Sequence, residues 1–394
     1  MQSLNKYRYE VTLTLIGLIL VLETIIPQTL FPNTYVTGFI ASSLLLGVAI
    51  NFRSFTRYHL VFIGVVILTS IYNYEVNEPI NTLKGLFTFL INIAPFCISF
   101  RDYEHKQKAY KFILYGIIAS GIIQATLFSY FLVKHGIYLV YSGYETYLDG
   151  ISSHRVSSLF YEPTITFCAV YFSLKSMKSD QKTLRSIFYI MIAVGIAAPW
   201  FMVSLRVQSL LFLLFIFLYL VLFKATYKIF LILIALMIPI VAMVTISNFE
   251  LLQYYVGSFL DKLTKTGASQ KLSEFTSIIN EIKGTRILTG KGLGALYYNP
   301  HYKEPALYTH SLFSFLYLKT GLMGIISFAL VSKESLLKFK RVKKQNFIIL
   351  ASCSIPIINA LFFQPIYKFT TFFIIIILVI LEMDLNSQTK DSSL

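Results

Sequence analysis

The sequence predicts an all-α integral membrane protein with about twelve transmembrane helices and a long outer loop between the ninth and tenth helices. Three observations predict this fold. Hydrophobic residues make up 56% and charged residues 13% of the 394 residues, whereas soluble domains carry about 25% charged residues. Apolar runs long enough to cross about 30 Å of hydrocarbon recur along the chain. Lysine and arginine cluster in every second short loop between those runs, which is typical of membrane proteins.

The apolar runs divide residues 1–394, predicted to form a single polytopic domain, into successive spans. The first run follows a short basic head, but no small-x-small cleavage site follows it in residues 27–35, so it is expected to be a retained span and not a signal peptide. The predicted spans are Val11–Ile26, Tyr35–Ile50, Tyr58–Tyr72, Leu83–Phe100, Tyr110–Val133, Ser158–Leu174, Ser186–Ser204, Val207–Phe223, Tyr227–Ser247, His310–Val331, Phe347–Phe363 and Ile366–Met383.

The cations between the spans predict the orientation. They alternate from loop to loop, and the side that carries them faces the cytoplasm. Both termini are therefore expected in the cytoplasm. The formal net charge of +15 is explained by topology and by contact with anionic lipid, because the chain has no folded basic domain of the kind that binds nucleic acid. The opposite loops carry few cations and include Glu75 and Glu78.

Two outer loops are longer than a connection needs. The first covers residues 134–157 and the second residues 248–309. Within the second, apolar residues recur at helical spacing and Gly284 follows as a stop signal. This pattern predicts an amphipathic helix that lies on the outer membrane surface or caps a cavity. The apolar positions are Leu272, Phe275, Ile279 and Ile282.

Two outer positions before the long loop are candidates for chemistry. Arg206 lies in SLRVQS, between two spans with almost no loop, and either marks a span end by snorkelling or holds an anion. Arg155 and Glu162 lie where the first outer loop enters the sixth span. Glu162 precedes Pro163 and is either a helix-start carboxylate or ion-pair partner, or a general base for a sugar hydroxyl.

A basic, glycine-rich segment follows the predicted amphipathic helix. Arg286 lies at its start, and Lys271 and Lys291 flank it. Glycines at alternate positions make the segment either a plain turn or a nest of N–H groups that binds an anion such as diphosphate. The spacing is not that of a dinucleotide fingerprint. These glycines are Gly290, Gly292 and Gly294.

His310 opens the tenth predicted span, where it is either an interfacial histidine bonded to water or part of a site. Lys319 and Glu23 are charges within predicted spans and are expected to face the protein interior. No residues have zinc-site spacing, and neither a Ser-His-Asp set nor a P-loop is present, so neither a metal nor a cofactor is predicted. Tyrosines in both outer loops are expected either to stack on sugars or to form an interfacial belt.

Together these features resemble the O-antigen polymerase and ligase superfamily, above all the Wzy-type O-antigen and capsular polysaccharide polymerases. The resemblance rests on the span number and on three local matches. These are the SxR sequence Ser204–Arg206, the RVSSLFYEP segment Arg155–Pro163, and the late outer loop that ends in a glycine-rich turn, His310, Ser311 and the G-x-x-G pair Gly321 and Gly324.

The resemblance implies a GT-C-like fold and an inverting, metal-independent glycosyltransferase that works at the periplasmic face of the bacterial inner membrane. It implies that Arg206 and Arg286 hold the diphosphate of a lipid-linked donor and that His310 lies in the same site. The chain departs from the family pattern at two positions. Lys319 stands where an acidic residue often occurs, and Lys271 stands where some relatives have arginine.

The predicted function is transfer of a growing undecaprenyl-diphosphate-linked glycan onto an incoming lipid-linked repeat unit. The alternatives are an O-antigen ligase, which passes glycan to lipid A core, and a flippase for lipid-linked oligosaccharide. A chain-length regulator is a possible partner by family analogy. The predicted catalytic residues are His310, Glu162 and Arg206, and the predicted substrate-binding residues are Arg155, Arg286, Lys271, Lys291, Gly292 and Gly294.

Overall fold

The computed structural model describes most of the predicted helices and the second half of the long outer loop. The described residues are 2–25, 56–73, 77–98, 102–135, 163–177, 183–204, 214–219, 267–300, 303–309, 311–336, 344–362 and 371–391, with isolated positions at 42, 43, 46, 47, 49, 50, 100, 212 and 221. Within these residues the chain is mostly helical, which agrees with the predicted all-α class.

The helices follow the apolar runs. Their bounds are α1 Gln2–Ile25, α2 Arg57–Tyr72, α3 Pro79–Cys97, α4 Tyr103–His135, α5 Pro163–Ser176, α6 Thr183–Ser204, α7 Gly267–Glu281, α8 Arg286–Thr289, α9 Leu312–Leu336, α10 Lys344–Phe362 and α11 Thr371–Asp391. The predicted spans Tyr35–Ile50 and Val207–Phe223 lie mostly outside the described residues, and Tyr227–Ser247 lies entirely outside them. So do most of the first outer loop, 134–157, and residues 248–266 of the second.

Two helical segments are long and apolar enough to cross a membrane. They are Tyr103–Leu127 in α4 and Leu312–Lys333 in α9, and the search that found them covered the described residues only. Three further apolar helical segments in that part of the chain are shorter than a full span: Arg57–Tyr72, Leu184–Ile196 and Asn346–Ile358. The described residues therefore contain two helices that are long and apolar enough to cross a membrane, and the count of about twelve spans stays a prediction.

Helix α5 forms the centre of the helical core. Almost all of its residues are buried, and it packs against α4, α6 and α10. A helix that is apolar on every side is typical of the middle of a large or membrane-embedded bundle. Close approach of α4 depends on Gly121, because a Cβ at that position would lie 2.6 Å from the carbonyl oxygen of Thr164.

A small hairpin follows the glycine-rich segment and is the one departure from all-α structure in the described residues. Strands β1, Tyr297–Asn299, and β2, Glu304–Ala306, pair antiparallel, with Tyr297 opposite Ala306. The side chain of Tyr297 is buried with Ile278 and Ile282 of the long loop and with Leu318 of α9. The hairpin therefore joins the outer loop to the apolar helix.

Helix α7 covers the segment where the apolar spacing predicts a helix, and Gly284 with φ +62° follows its end. The predicted apolar face differs from the buried one. Ile278 and Ile282 are buried, whereas Leu272 and Ile279 are exposed. The reason is that Tyr297 and Leu318 approach the helix from one side only, so spacing alone does not show which apolar residues find partners.

Candidate functional site

Helix α9 is broken near the place where the glycine-rich segment packs against it. Gly321 has φ +61° and ψ −156°, which are non-helical values inside Leu312–Leu336. A non-helical residue interrupts the hydrogen bonds that run along a helix, so carbonyls near the break need donors from elsewhere. Such a break in an apolar helix is tolerated only where other parts of the protein supply those donors.

The glycine turn, residues 290–296, supplies the donors. The N–H of Lys291 donates to the carbonyl of Leu318 at 2.8 Å, and the N–H of Gly292 donates to the carbonyl of Lys319 at 3.0 Å. These two N–H groups are therefore used inside the chain. The anion-binding roles predicted for Lys291, Gly292 and Gly294 stay predictions, while the turn itself is a structural fact.

Glycine is required where the turn meets the helix break. A Cβ on Gly321 would lie 2.5 Å from the carbonyl oxygen of Leu288 and 2.6 Å from the nitrogen of Gly290. A Cβ on Gly290 would lie 2.5 Å from the nitrogen of Thr320. Both glycines also have positive φ, which other residues adopt at a cost. The two backbones therefore touch directly.

The second glycine of the G-x-x-G pair has a different task. Thr320 donates its hydroxyl hydrogen to the carbonyl of Leu316 at 2.8 Å, and its side chain fills the space that a Cβ on Gly324 would take. Gly321 thus makes the break, whereas Gly324 makes room for the residue beside it.

The start of α3 forms another wall around the glycine turn. A Cβ on Gly292 would lie 2.5 Å from Nδ2 of Asn77, and one on Gly294 would lie 2.6 Å from Oγ1 of Thr82. Nδ2 of Asn77 donates to the carbonyl of Lys291 at 2.9 Å. The turn is therefore enclosed between the start of α3 and the break in α9.

Lys319 lies at the centre of this enclosure. Its side chain is 0% exposed, and Nζ donates to the carbonyl of Ala295 at 2.5 Å. Nζ also lies 5.7 Å from the centre of the Phe315 ring, within the range of a cation–π contact. The prediction that Lys319 faces the protein interior is confirmed.

Lys291 makes a different set of contacts on the outward side of the turn. Its Nζ lies 2.6 Å from Oε2 of Glu281 and 3.2 Å from the carbonyl oxygen of Leu296. The other carboxylate oxygen of Glu281 accepts the N–H of Tyr298 at 2.9 Å, and Ser277 donates to the Tyr298 carbonyl at 2.8 Å. Helix α7 thereby holds both the turn and the free edge of β1.

Arg286 opens the short helix α8 and is half-buried. Its carbonyl accepts the N–H of Gly290 at 2.7 Å, so the helix that carries it connects directly to the glycine turn. Lys283 lies three residues earlier and is exposed. Two cations on a segment of fixed geometry can bind an anionic group, and a guanidinium binds phosphate oxygens through two N–H groups.

The first turn of α9 is capped by hydroxyl groups. The N–H of Ser314 donates to Oγ of Ser311 at 3.1 Å, and Thr309 donates its hydroxyl hydrogen to the Ser311 carbonyl at 2.8 Å. Ser311 is therefore the N-cap of α9. Nearby, burial raises the pKa of the Tyr308 phenol, and a hydrogen bond with Thr88 acts in the opposite direction.

Several predicted site residues lie outside the described residues. They are Arg155, Glu162, Arg206 and His310, together with the side chain of Lys271, whose backbone belongs to α7. In the sequence, Glu162 directly precedes α5, and His310 directly precedes the N-cap of α9. The structure joins Arg286, Lys291, Gly292 and Gly294 in one continuous segment.

Hydroxyl groups cluster near the start of α5. Thr24 donates to Oγ of Ser120 at 2.6 Å, and Ser120 donates to Oγ1 of Thr164 at 3.5 Å. Three helices thus share polar contacts at this level. Sequence reasoning missed these residues because isolated serine and threonine in apolar runs form no pattern.

Sequence reasoning also missed the importance of Glu281 and Asn77. Glu281 is one of several polar residues on the predicted amphipathic helix and has no distinctive spacing, yet it binds Lys291 and the backbone of Tyr298. Asn77 carried no signal, because its partner Lys291 lies 214 residues away.

Comparison with protein-family models and with curated proteins gives no match. The resemblance to the polymerase and ligase superfamily therefore stays a prediction from the sequence motifs. What supports a function for this chain is the chemistry of its own residues.

Proposed function

We propose that the chain is an inner-membrane polysaccharide polymerase. It transfers a growing glycan from undecaprenyl diphosphate onto the sugar of an incoming lipid-linked repeat unit. The observation that carries this proposal is the basic segment Arg286–Lys291, which continues into a glycine turn built into a broken apolar helix. In membrane proteins, broken helices and irregular backbone are associated with polar cavities and with the binding of anionic substrates.

The donor is held through its diphosphate. Arg206 and Arg286 bind the phosphate oxygens, with Lys271 as a further cation. In the transfer, negative charge grows on the leaving diphosphate, and fixed cations in a site shielded from water stabilise that charge. Lys291 already pairs with Glu281, so it adds less net charge to the site than Arg286.

The transfer itself forms one bond and breaks one. A hydroxyl oxygen of the acceptor sugar attacks the anomeric carbon of the donor, and the bond from that carbon to the diphosphate oxygen breaks with inversion. The diphosphate leaves with the electron pair. Glu162 takes the proton of the attacking hydroxyl, Arg155 orients Glu162, and His310 orients the diphosphate or moves a proton. No step needs a metal or a cofactor.

The membrane setting follows from the same proposal. About twelve spans place both termini in the cytoplasm and residues 248–309 in the periplasm, where lipid-linked repeat units are joined. The exposed apolar residues Leu272 and Ile279 of α7 then contact the periplasmic surface of the inner membrane. A chain-length regulator is included in the proposal as a partner by family analogy only.

Polymer length in cells tests the assignment. We expect Arg206→Ala and His310→Ala to abolish long polymer on a gel at normal protein level, because each removes a group from the donor site. Lys303→Ala is the control, since Lys303 is exposed in the hairpin turn and has no role in the proposed site. Undiminished polymer length in both site variants would overturn the proposal.

A further inference from the structure

Lys319 is a buried lysine with no role in the proposed transfer, although it lies next to the basic segment. Lys319 is 0% exposed, and it stands two residues before the break at Gly321. A lysine that is removed from water in an apolar helix loses solvation, and it stays there only where its polar head has partners. The described partners are the carbonyl of Ala295 and the ring of Phe315.

We propose that Lys319 is the positioning residue that holds the glycine turn in the helix break and so fixes Arg286 and Lys291 at the outer face. The inference rests on the proposed function for its effect on donor binding, but not for the seating of the turn. Lys319 donates to a residue of the turn through its side chain, while its own carbonyl accepts the N–H of Gly292. One residue therefore bonds both ends of the turn.

Both halves of the glycine turn are bonded to α9. The N–H groups of Lys291 and Gly292 bond carbonyls before the break, at 2.8 and 3.0 Å, and thereby hold the first half of the turn. The second half reaches Ala295, which is 3% exposed and whose carbonyl accepts a hydrogen bond from Nζ of Lys319. Loss of that donor leaves a buried carbonyl unsatisfied, which favours opening of the turn.

Opening of the turn displaces the cations of the proposed donor site. Gly290 bonds the carbonyl of Arg286 at 2.7 Å, so movement of the turn is passed directly to α8. Lys291 is a member of the turn and also bonds Glu281 of α7. Lys319 therefore acts through other residues and does not touch substrate.

Thiol labelling measures whether the glycine turn stays in the helix break, and it needs no assay of activity. The native residues Cys97, Cys168 and Cys353 are all buried, which keeps the background low. Ala295→Cys places the reporter at a position that is 3% exposed, and Leu296→Cys places a control next to it at a position that is 39% exposed. A membrane-impermeant maleimide, applied to the full chain in proteoliposomes, should label the second much faster than the first.

Replacement of Lys319 should then expose the buried reporter. We expect Lys319→Met to raise the labelling rate of Ala295→Cys by about tenfold or more, because the opened population controls the rate. Lys319→Arg keeps a donor and should leave the rate low. Lys333→Met is the matched control, since Lys333 is an exposed lysine on the same helix. An unchanged labelling rate in Lys319→Met overturns the proposal that Lys319 holds the glycine turn in the helix break.

If Lys319→Met does not accumulate, Lys319→Gln decides the same question. Its amide is one bond shorter than the lysine side chain and falls short of the Ala295 carbonyl. The Ala295→Cys reporter must label faster in this variant than with Lys319 present, and equal rates overturn the proposal.

Kinetics then separate positioning from a general loss of structure. With purified lipid-linked repeat as substrate, we expect Lys319→Met to raise KM for the donor more than it lowers kcat, with rescue by Lys319→Arg. Unchanged KM and kcat in Lys319→Met overturn the positioning role. If the unmodified chain forms no polymer, the proposed function fails, while the labelling rates still support or overturn the seating.

Discussion

Helices α4 and α9 contain the two segments in the described part of the chain that are long and apolar enough to cross a membrane, yet they are built differently. Tyr103–His135 is helical at every residue, although it contains Gly121. Leu312–Leu336 is broken at Gly321. Both glycines allow close approach: Gly121 packs against the carbonyl of Thr164 in a neighbouring helix, and Gly321 packs against loop backbone.

The difference lies in what the neighbour offers. A neighbouring helix has already paired its own N–H groups, so α4 must keep its internal hydrogen bonds. The glycine turn does not use the N–H groups of Lys291 and Gly292 for its own structure, and these donate to the carbonyls of Leu318 and Lys319 beside the break. A polar loop and an apolar helix can therefore share one hydrogen-bond network, and this places basic residues next to a segment that is long and apolar enough to cross a membrane.

The largest expected effect is at Gly321, where both the positive φ and the backbone contacts exclude a side chain. Gly321→Ala forces a side chain into φ +61° and against the backbone of Leu288, and we expect it to lower the free energy of unfolding by about 2–4 kcal/mol. Thermal unfolding in detergent, followed by intrinsic fluorescence, measures the change.

Gly116→Ala in α4 is the matched control. Its Cβ would meet only a methyl group of Leu20, at 2.7 Å, and that flexible side chain can move. We expect a cost below about 1 kcal/mol. Equal losses in Gly116→Ala and Gly321→Ala would contradict the claim that backbone contacts and positive φ require glycine at position 321.

The wall contributed by α3 should have the next largest effect. Asn77→Ala removes the donor to the Lys291 carbonyl, and we expect a loss of about 1–2 kcal/mol. Asn81→Ala is the control, because Asn81 bonds only the exposed carboxylate of Glu78 among its described contacts. The same unfolding measurement compares the two. A larger effect at Asn81 than at Asn77 would argue against a tightly held turn.

The ion pair at the turn should contribute less. Glu281→Gln weakens the bond to Lys291 but keeps an oxygen for the N–H of Tyr298, so we expect a loss of about 1 kcal/mol. The comparison is Glu104→Gln in α4, whose pair with Lys108 is exposed and should contribute close to nothing. The difference between the variants should shrink at high salt, and a difference that grows with salt would contradict the assignment.

The smallest expected effect is a gain. Gly64 lies in α2 with nothing within 4 Å of an added Cβ. Gly64→Ala should therefore stabilise the protein by about 0.5–1 kcal/mol through helix propensity. A loss in the unfolding measurement would show that this helix face has a partner that fills the space.

Much of the helical pattern could be predicted from the sequence, because each run of apolar residues is a local signal. Helix α7 and its stop at Gly284 follow from spacing and a glycine, and the interior position of Lys319 follows from the cost of exposing a charge to lipid. The break at Gly321 could not be predicted, since a glycine inside an apolar run has the same signal whether the helix continues or not.

The contacts of the candidate site were harder to predict, because they join distant segments. Asn77 and Lys291 meet across 214 residues, and no spacing rule connects them. The hairpin was missed because its strands are three residues long and one contains Pro305, which argues against a strand. The roles of Arg155, Glu162, Arg206 and His310 remain predictions, because these residues lie outside the described part of the chain.

The most direct test of the proposed function is reconstitution. The purified full chain in liposomes is supplied with one undecaprenyl-diphosphate-linked repeat unit, and the products are separated by size. We expect a ladder of polymer from the unmodified chain and from Lys303→Ala, and no ladder from Arg286→Ala. Transfer of glycan to added lipid A core without a ladder would identify a ligase, and movement of the lipid-linked repeat across the bilayer without new bonds would identify a flippase. Either result would contradict the proposal that the chain is a polymerase.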